Sequence, residues 1–316
     1  MKIVNINSTD TGGQCWRLSS AINKVYNGIH KSRWFLKETN YLQYPVDVLW
    51  KENNKYALWV AKFFETADVV HVHANWRRAS GWFSFKERIG KIVHQHGRMG
   101  DDFKYQIPEI LEKDKGAKQI RVVSTINLLA YVEFDLNRWF PTPIDMDWLS
   151  IIKRKNREPH DTIRIIHSPT MRKLKDTDLF ISVMGQLQKK YDFVEMILVE
   201  GVSNVECLIK KAKCDICFDQ ILLQHGTSGL ESMAMGQPVV AGCNYEVAGM
   251  IKEVVGYLPF IRASENDLYE VLESLILSQQ ERLRWGKIGY DYVKKWHSFE
   301  YTAAHAIKTY EESILL

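Results

Sequence analysis

The sequence holds no uninterrupted apolar run of 18 residues, so no segment reads as a membrane-spanning helix. Its first residues, MKIVNINSTD, carry one lysine and a short apolar run. That is too little for a secretory leader, and the stretch reads as a first β-strand. Cysteine is scarce and odd in number: Cys15, Cys207, Cys214, Cys217 and Cys243. With no export signal, reduced thiols and a cytoplasmic location are expected, with the inner face of a membrane as a second location. Cys214-Asp-Ile-Cys217 is half a zinc motif with no second pair to complete it. KCDICFDQILL reads as a strand, where residues three apart face opposite ways, so no metal is expected. One-sided charge is also lacking. The formal net charge is +4, with 21 lysines and arginines against 15 acidic residues up to position 145 and 21 against 23 beyond it. A mildly basic first half suits an anionic partner or surface, but the basic stripe of a nucleic-acid binder is absent.

What is present is ordinary globular material: 316 residues, 46% hydrophobic and 25% charged. At roughly 100–200 residues per domain, two domains are expected. Short apolar strands alternate with helical segments. KIVNI, ADVVHVH, KIVHQH and QIRVVS read as strands in the first half; QCWRLSSAINKVY has helical spacing. The pattern breaks at RWFPTPIDMDWLS and the charged KRKNREPHD, where a linker is expected. It restarts with IRIIHS, DLFISVMGQLQKKY, VEMILVE, VECLIKKA, CDICFDQ, SGLESMAMG and PVVAG, and ends in helices. Apolar, non-alternating strands belong to parallel sheets covered on both faces. The expected fold is α/β, two Rossmann-like doubly wound domains facing a central cleft, at 1–150 and 151–296. Residues 297–316 are expected to form a further helix. Ligands of such sheets bind beyond the carboxyl ends of the strands.

The stretch LLQHGTSGLESMAMGQPVVAG (222–242) follows a strand, holds two glycines and opens a helix. Backbone N–H groups at such a start favour an anion, and Gly226 and Gly229 allow close approach. Glu231 has two readings. It can bind a ribose diol, or close a capping box with Ser228 three positions earlier. If capping were secondary, Glu231→Gln would melt near-normally and bind nucleotide more weakly.

In order, HSPTMRKLKDTDLF, EMILVEGVSNVECLIKKAKCDICFDQ and HGTSGLESMAMGQPVV resemble the donor-binding domain of retaining family 4 glycosyltransferases with the GT-B fold. The resemblance covers about residues 160–260 and extends loosely over the first half. It implies that the helix within 297–316 crosses back onto the first domain, with Trp296, Phe299 and Tyr301 as packing anchors, and that Arg172 and Lys175 bind the donor diphosphate. It also implies that Gly226, Thr227, Ser228 and Gly229 form the diphosphate turn and that Glu231 binds the ribose. The family often has a second glutamate eight positions before that one; here the position is Leu223.

In the first half, Gly12 and Gly13 follow the first strand and open a helix, a place from which they can face the diphosphate. His71, His73, His94 and His96 form two His-x-His pairs on predicted strands. No carboxylate or cysteine joins them, so a metal site is not favoured. By the resemblance, His96 contacts the donor sugar, with His73 as runner-up, and His71 and His94 are core polar groups. NWRRASGWFSFKERIGK (75–91) interleaves aromatic and basic residues. It suits a peripheral membrane contact, an acceptor-sugar platform or an ordinary amphipathic helix. Asp10, Asp101 and Asp102 are acceptor-side candidates.

The expected activity is therefore transfer of a hexose from a UDP- or GDP-sugar to a glycan, lipid-linked or small-molecule acceptor, with retention and without metal or other cofactor. No nucleic-acid partner is expected. The alternatives are a nucleotide-sugar 2-epimerase on the same architecture and a non-catalytic sugar-nucleotide-binding protein.

Overall fold

The computed structural model describes residues 1–7, 12–36, 38–49, 66–73, 90–95, 119–130, 138–222 and 224–316. The chain divides into two units, one made of Met1–Pro143 with Phe299–Leu316 and the other of Ile144–Ser298. Both are layered α/β structures around a parallel sheet. No helix among the described residues is long and apolar enough to cross a membrane.

In the first unit the strands are β1 (Lys2–Asn7), β2 (Lys31–Leu36), β3 (Val48–Leu49), β4 (Val69–His73), β5 (Gly90–Gln95), β6 (Ile120–Val123) and β7 (Arg138–Trp139). They pair in the order β3-β2-β1-β4-β5-β6-β7, all parallel. Helix α1 (Gln14–Tyr26) follows β1 and places Leu18, Ala21 and Ile22 on the sheet. The C-terminal helix (Phe299–Ile314) lays Phe299, Ala303, Ala306, Ile307 and Tyr310 into the same core, against Ile3, Val69, Ile92 and Phe140. Of the expected anchors only Phe299 is fully buried; Trp296 and Tyr301 are half-buried, and Tyr310 reaches deepest. At period 3.6, Phe299, Ala303, Ala306 and Tyr310 fall on one stripe, and Tyr301 lies off it.

The second unit opens with α2 (Met146–Asn156), which occupies part of the stretch expected to be a linker. Asp145 caps it, its side chain accepting from Trp148 N at 3.0 Å, so the charged run KRKN is the exposed end of a helix. Then follow β8 (Ile163–His167), α3 (Thr177–Lys190), β9 (Val194–Leu198), α4 (Asn204–Ala212), β10 (Ile216–Phe218), α5 (Thr227–Ala234), β11 (Val239–Ala241), α6 (Tyr245–Val255), β12 (Ile261–Arg262), α7 (Leu268–Leu277) and α8 (Gln279–Trp296). The sheet order is β12-β11-β10-β8-β9, again wholly parallel. Its core is centred on Phe180 and Phe218, stacked at 5.0 Å.

The strand expected through Cys214 is shorter than the sequence suggests. Cys214 sits in the turn after α4, its thiol bonded to Lys210 O, and only Ile216–Phe218 pairs. Burial pushes the Cys214 and Cys217 thiols up to about 12, so neither is a thiolate at neutral pH.

One close approach shapes the loop after β10. Gly242, just past β11, donates to Gln220 O at 2.7 Å, and a Cβ there would lie 2.1 Å from Ile221 O. Gly242→Ala is therefore expected to displace the 219–226 loop and cost roughly 1–3 kcal/mol, readable as a lower urea midpoint.

Candidate functional site

In the second sheet the chain leaves β8 for β9 on one side and returns to β10 on the other. The crevice of such a sheet lies at this switch point, beyond the carboxyl ends of β8 and β10. Ser168 follows β8, Asp219 follows β10, and α5 begins beside them.

Asp219 organises this corner. Its Oδ1 accepts from Lys175 Nζ at 2.7 Å and its Oδ2 from the backbone N–H of Gly226. The aspartate is fully buried, whereas the Lys175 side chain keeps 16% exposure. Burial alone would raise the Asp219 carboxyl; the adjacent Lys175 ammonium and the Gly226 N–H overcome it and hold the group at about 2. Both glycines of the turn are placed by this carboxylate. A Cβ at Gly229 would lie 2.8 Å from Asp219 Oδ2, and one at Gly226 would lie 3.2 Å from Lys175 Nζ. His225 beneath it is buried and neutral, pushed down to about 4 by burial.

Helix α5 is capped by Gly226 in extended conformation, with no side-chain cap. The capping-box expectation for Ser228 and Glu231 is thus corrected. The helix starts two residues earlier than that reading requires, so Ser228 is already inside its first turn. The first intrahelical bond runs from Leu230 N to Gly226 O at 3.1 Å. The N–H groups of Thr227, Ser228 and Gly229 fall within the turn that has no intrahelical acceptors. Gly226, Thr227 and Ser228 are half-buried, hence reachable, while Gly229 is buried.

Glu231 points inward and is 2% exposed. Its Oε2 accepts from Lys211 Nζ at 2.7 Å and its Oε1 from Asn204 Nδ2 at 3.0 Å. Lys211 has no exposed surface. Its ammonium also donates to Ser228 O and Ser228 Oγ, each at 2.9 Å. Burial opposes this charge, but Glu231 more than offsets it and carries the lysine above its ordinary value. Ser228 Oγ in turn bonds Ser168 Oγ at 2.8 Å, which ties the turn to the end of β8.

Arg172 and Lys175 lie together on a 3-10 turn (Arg172–Lys175) but are used differently. Arg172 is exposed and grips Glu200 at the end of β9, Nε to Oε1 at 2.8 Å. Lys175 stands at the α5 turn.

In the first unit the switch point lies between β1 and β4. The Gly12–Gly13 turn follows β1, and His73 ends β4. Gly13 has φ 66°, a left-handed value, and a Cβ there would lie 2.9 Å from the Tyr44 ring. Gly12 O accepts from Arg17 Nε at 3.3 Å. His73 Nε2 donates to Asn5 Oδ1 at 2.8 Å; His71 bonds Tyr310 OH through Nδ1 and His94 Nδ1 through Nε2. His71, His73 and His94 bring ring nitrogens within 4.8 Å of one another. Yet the His71 and His73 rings stack at 4.1 Å, 16° from parallel, so one ion cannot lie in both ring planes. His96, Leu223, Asp10, Asp101, Asp102 and residues 75–89 of the aromatic–basic segment lie outside the described residues.

Sequence reasoning missed Asp219, Lys211 and Asn204. The signal for Lys211 was present: it falls three residues after Leu208 on the buried stripe of α4, where a lone lysine calls for an internal partner. Asp219 is the first polar residue past the buried strand Ile216–Phe218, the position that faces a switch-point crevice.

Two parallel Rossmann-like sheets, one with a glycine-rich helix start and a lysine at its switch point, define an α/β protein of the GT-B glycosyltransferase fold. Comparison with solved structures supports this along the whole chain. HepE of Anabaena in complex with UDP and glucose superposes with TM-score 0.72 at 13% identity, over 98% of this chain and 99% of that one. An α-glucosyltransferase in complex with UDP and a 13-mer DNA gives 0.70 at 11%, over 98% and 99%. A glycosyltransferase from Rickettsia africae gives 0.64 at 12%, over 99% and 98%. No family model and no curated protein sequence matches the chain.

Two predictions follow from the buried charges. Asp219 has its carboxyl held below the ordinary 3.8, so its contribution to stability is present above that pH and lost as pH falls toward 2. Melts from pH 5 to 2.5 should show Asp219→Asn less stable at the upper end, by about 2 kcal/mol, with the gap closing on acidification. Glu231→Gln leaves the Lys211 ammonium buried without its carboxylate. Near-normal melting is therefore no longer expected; a loss of roughly 3 kcal/mol is, measured by urea unfolding at pH 7.

Proposed function

We propose that the protein is a glycosyltransferase that takes a nucleotide diphosphate sugar, with the diphosphate at the start of α5. The observation that carries this is the conjunction of the α5 first turn, the Lys175 ammonium and the β8/β10 switch point. When the bond between sugar and diphosphate breaks, negative charge grows on the leaving oxygens. The reachable N–H groups of Thr227 and Ser228, with Lys175, are fixed donors for that charge. Lys175 is the principal cation, and Arg172 joins it by exchanging Glu200 for phosphate. Glu231 takes the ribose diol. A carboxylate accepts roughly four hydrogen bonds, so Lys211, Asn204 and a diol are compatible partners.

Several finer points rest on the family 4 resemblance. The transferred group is a hexose, the anomeric configuration is retained through attack on the face the diphosphate leaves, and no metal takes part. His96 orients the sugar. The second unit serves the donor. The first serves a glycan, lipid-linked or small-molecule acceptor, with polysaccharide assembly on the cytoplasmic face of a membrane as the setting. UDP is the first nucleotide to test, because HepE and the α-glucosyltransferase were solved with it.

A thermal-shift screen against UDP, GDP, ADP, CMP and their sugars tests the reading. A ligand at a hundred times its dissociation constant should stabilise the protein by about 2.7 kcal/mol. Lys175→Met should weaken binding of the diphosphates by at least about tenfold, since a hydrogen bond to a charged group contributes some 1.5–3 kcal/mol. No stabilisation by any nucleotide would sink the proposal. An intact but epimerised donor would point to an epimerase, and tight binding without transfer or hydrolysis to a binding protein.

A further inference from the structure

The pair beneath the turn is unusual in its placement. The positive end of a helix dipole disfavours a nearby cation, yet Lys211 buries its ammonium against Ser228, the second residue of α5. A lysine with no exposed surface loses its hydration and the freedom of a long side chain, so an apolar residue of similar size would serve packing at least as well. All three hydrogen-bonded atoms are on the turn or on Glu231: Ser228 O, Ser228 Oγ and Glu231 Oε2. Asn204, from the first turn of α4, takes the other carboxylate oxygen. Lys211 also faces Cys207 of α4 and Cys217 of β10, thiols that burial pushes up and keeps neutral. Lys211 thus puts a cation in direct contact with Glu231, at 2.7 Å.

We propose that Lys211 is a positioning residue of the donor site: it holds Glu231 as an oriented carboxylate and fastens it to the α5 turn, so that a ribose diol meets a charged acceptor. The inference rests on the donor reading above. Lys211 touches no substrate; it acts through Glu231. An acid buried there without its cation would be neutral near pH 7, since buried glutamates reach values of about 8–9. A neutral carboxyl is a poorer acceptor for two hydroxyls.

The test measures UDP affinity by calorimetry between pH 7 and 9 for the wild type, Lys211→Met, Glu231→Gln and the double variant. The wild type should bind with little change over this range. Lys211→Met should bind about tenfold more weakly at pH 7 and recover as pH rises, because Glu231 then ionises without help. Glu231→Gln and the double variant should be equally weak and flat with pH. A purely structural lysine would lower stability in Lys211→Met without giving it this pH profile. Lys211→Met within twofold of wild type at every pH overturns the proposal, as does a uniform loss with no recovery. If Lys211→Met does not fold, the comparison of Glu231→Gln with the double variant decides, since the double leaves no unpaired charge. Equal affinities support the proposal, and a further loss beyond about fivefold overturns it, because Lys211 would then act by another route. A wild type that binds neither UDP nor any other nucleotide in the thermal screen sinks the donor reading itself. That is distinct from a wild type that binds while Lys211→Met is unaffected.

Discussion

A carboxylate buried at the end of a strand constrains everything around it. Asp219 cannot stay ionised inside the protein without a cation and an N–H aimed at it. Lys175 supplies the first and Gly226 the second. To let them converge, the turn must pass so close that a Cβ at Gly229 would clash with Asp219 and one at Gly226 would crowd Lys175. The glycines, which read from the sequence as an opening for phosphate, are required first by the protein's own acid. The same closeness brings Lys175 to the start of α5, where an anionic ligand would meet it.

The helix start carries a second ion pair of a different character. Lys175 retains contact with solvent and can exchange its partner. Lys211 and Glu231 are sealed, with side-chain exposure of 0% and 3%, and their hydrogen bonds run to Ser228 and Asn204. One pair leaves its cation open to exchange, and the other fixes its carboxylate against the turn. Both cations sit where the helix dipole is least hospitable to them, and each is tolerated because a carboxylate neutralises it at 2.7 Å. Ser228 joins the frame to the end of β8 through Ser168, so the crevice is braced from both of its strands.

The architecture was legible because parallel, covered strands leave a plain mark: KIVNI, ADVVHVH and IRIIHS are apolar runs between helical segments. Lys175 and the turn were legible from their order along the chain. Partnerships were not. Whether Glu231 caps a helix depends on where α5 begins, and a two-residue difference removed the capping box. Arg172 and Lys175 look alike in sequence but face Glu200 and Asp219, acids 28 and 44 residues away. Lys211 could be placed on a buried stripe by its spacing, but its partner lies 20 residues on, beyond a strand and a turn. The helix inside the supposed linker was hidden because its polar face outweighs the two residues it buries, Leu149 and Ile152.

The path of the chain has a consequence for how the molecule comes into being. The second unit is continuous, whereas the first is closed by the helix that ends the described chain. Phe299, Ala303, Ala306, Ile307 and Tyr310 line the same core as Ile3 and Leu18, so that core stays open on one side until the final helix has been made. During synthesis the first unit therefore cannot complete its core ahead of the second, as an N-terminal domain usually does. Residues 144–298 form one continuous unit, while Ile3 and Leu18 lack part of their core until residues 299–314 are made. Until then, the apolar ground that the last helix will cover is exposed to whatever else is near the ribosome.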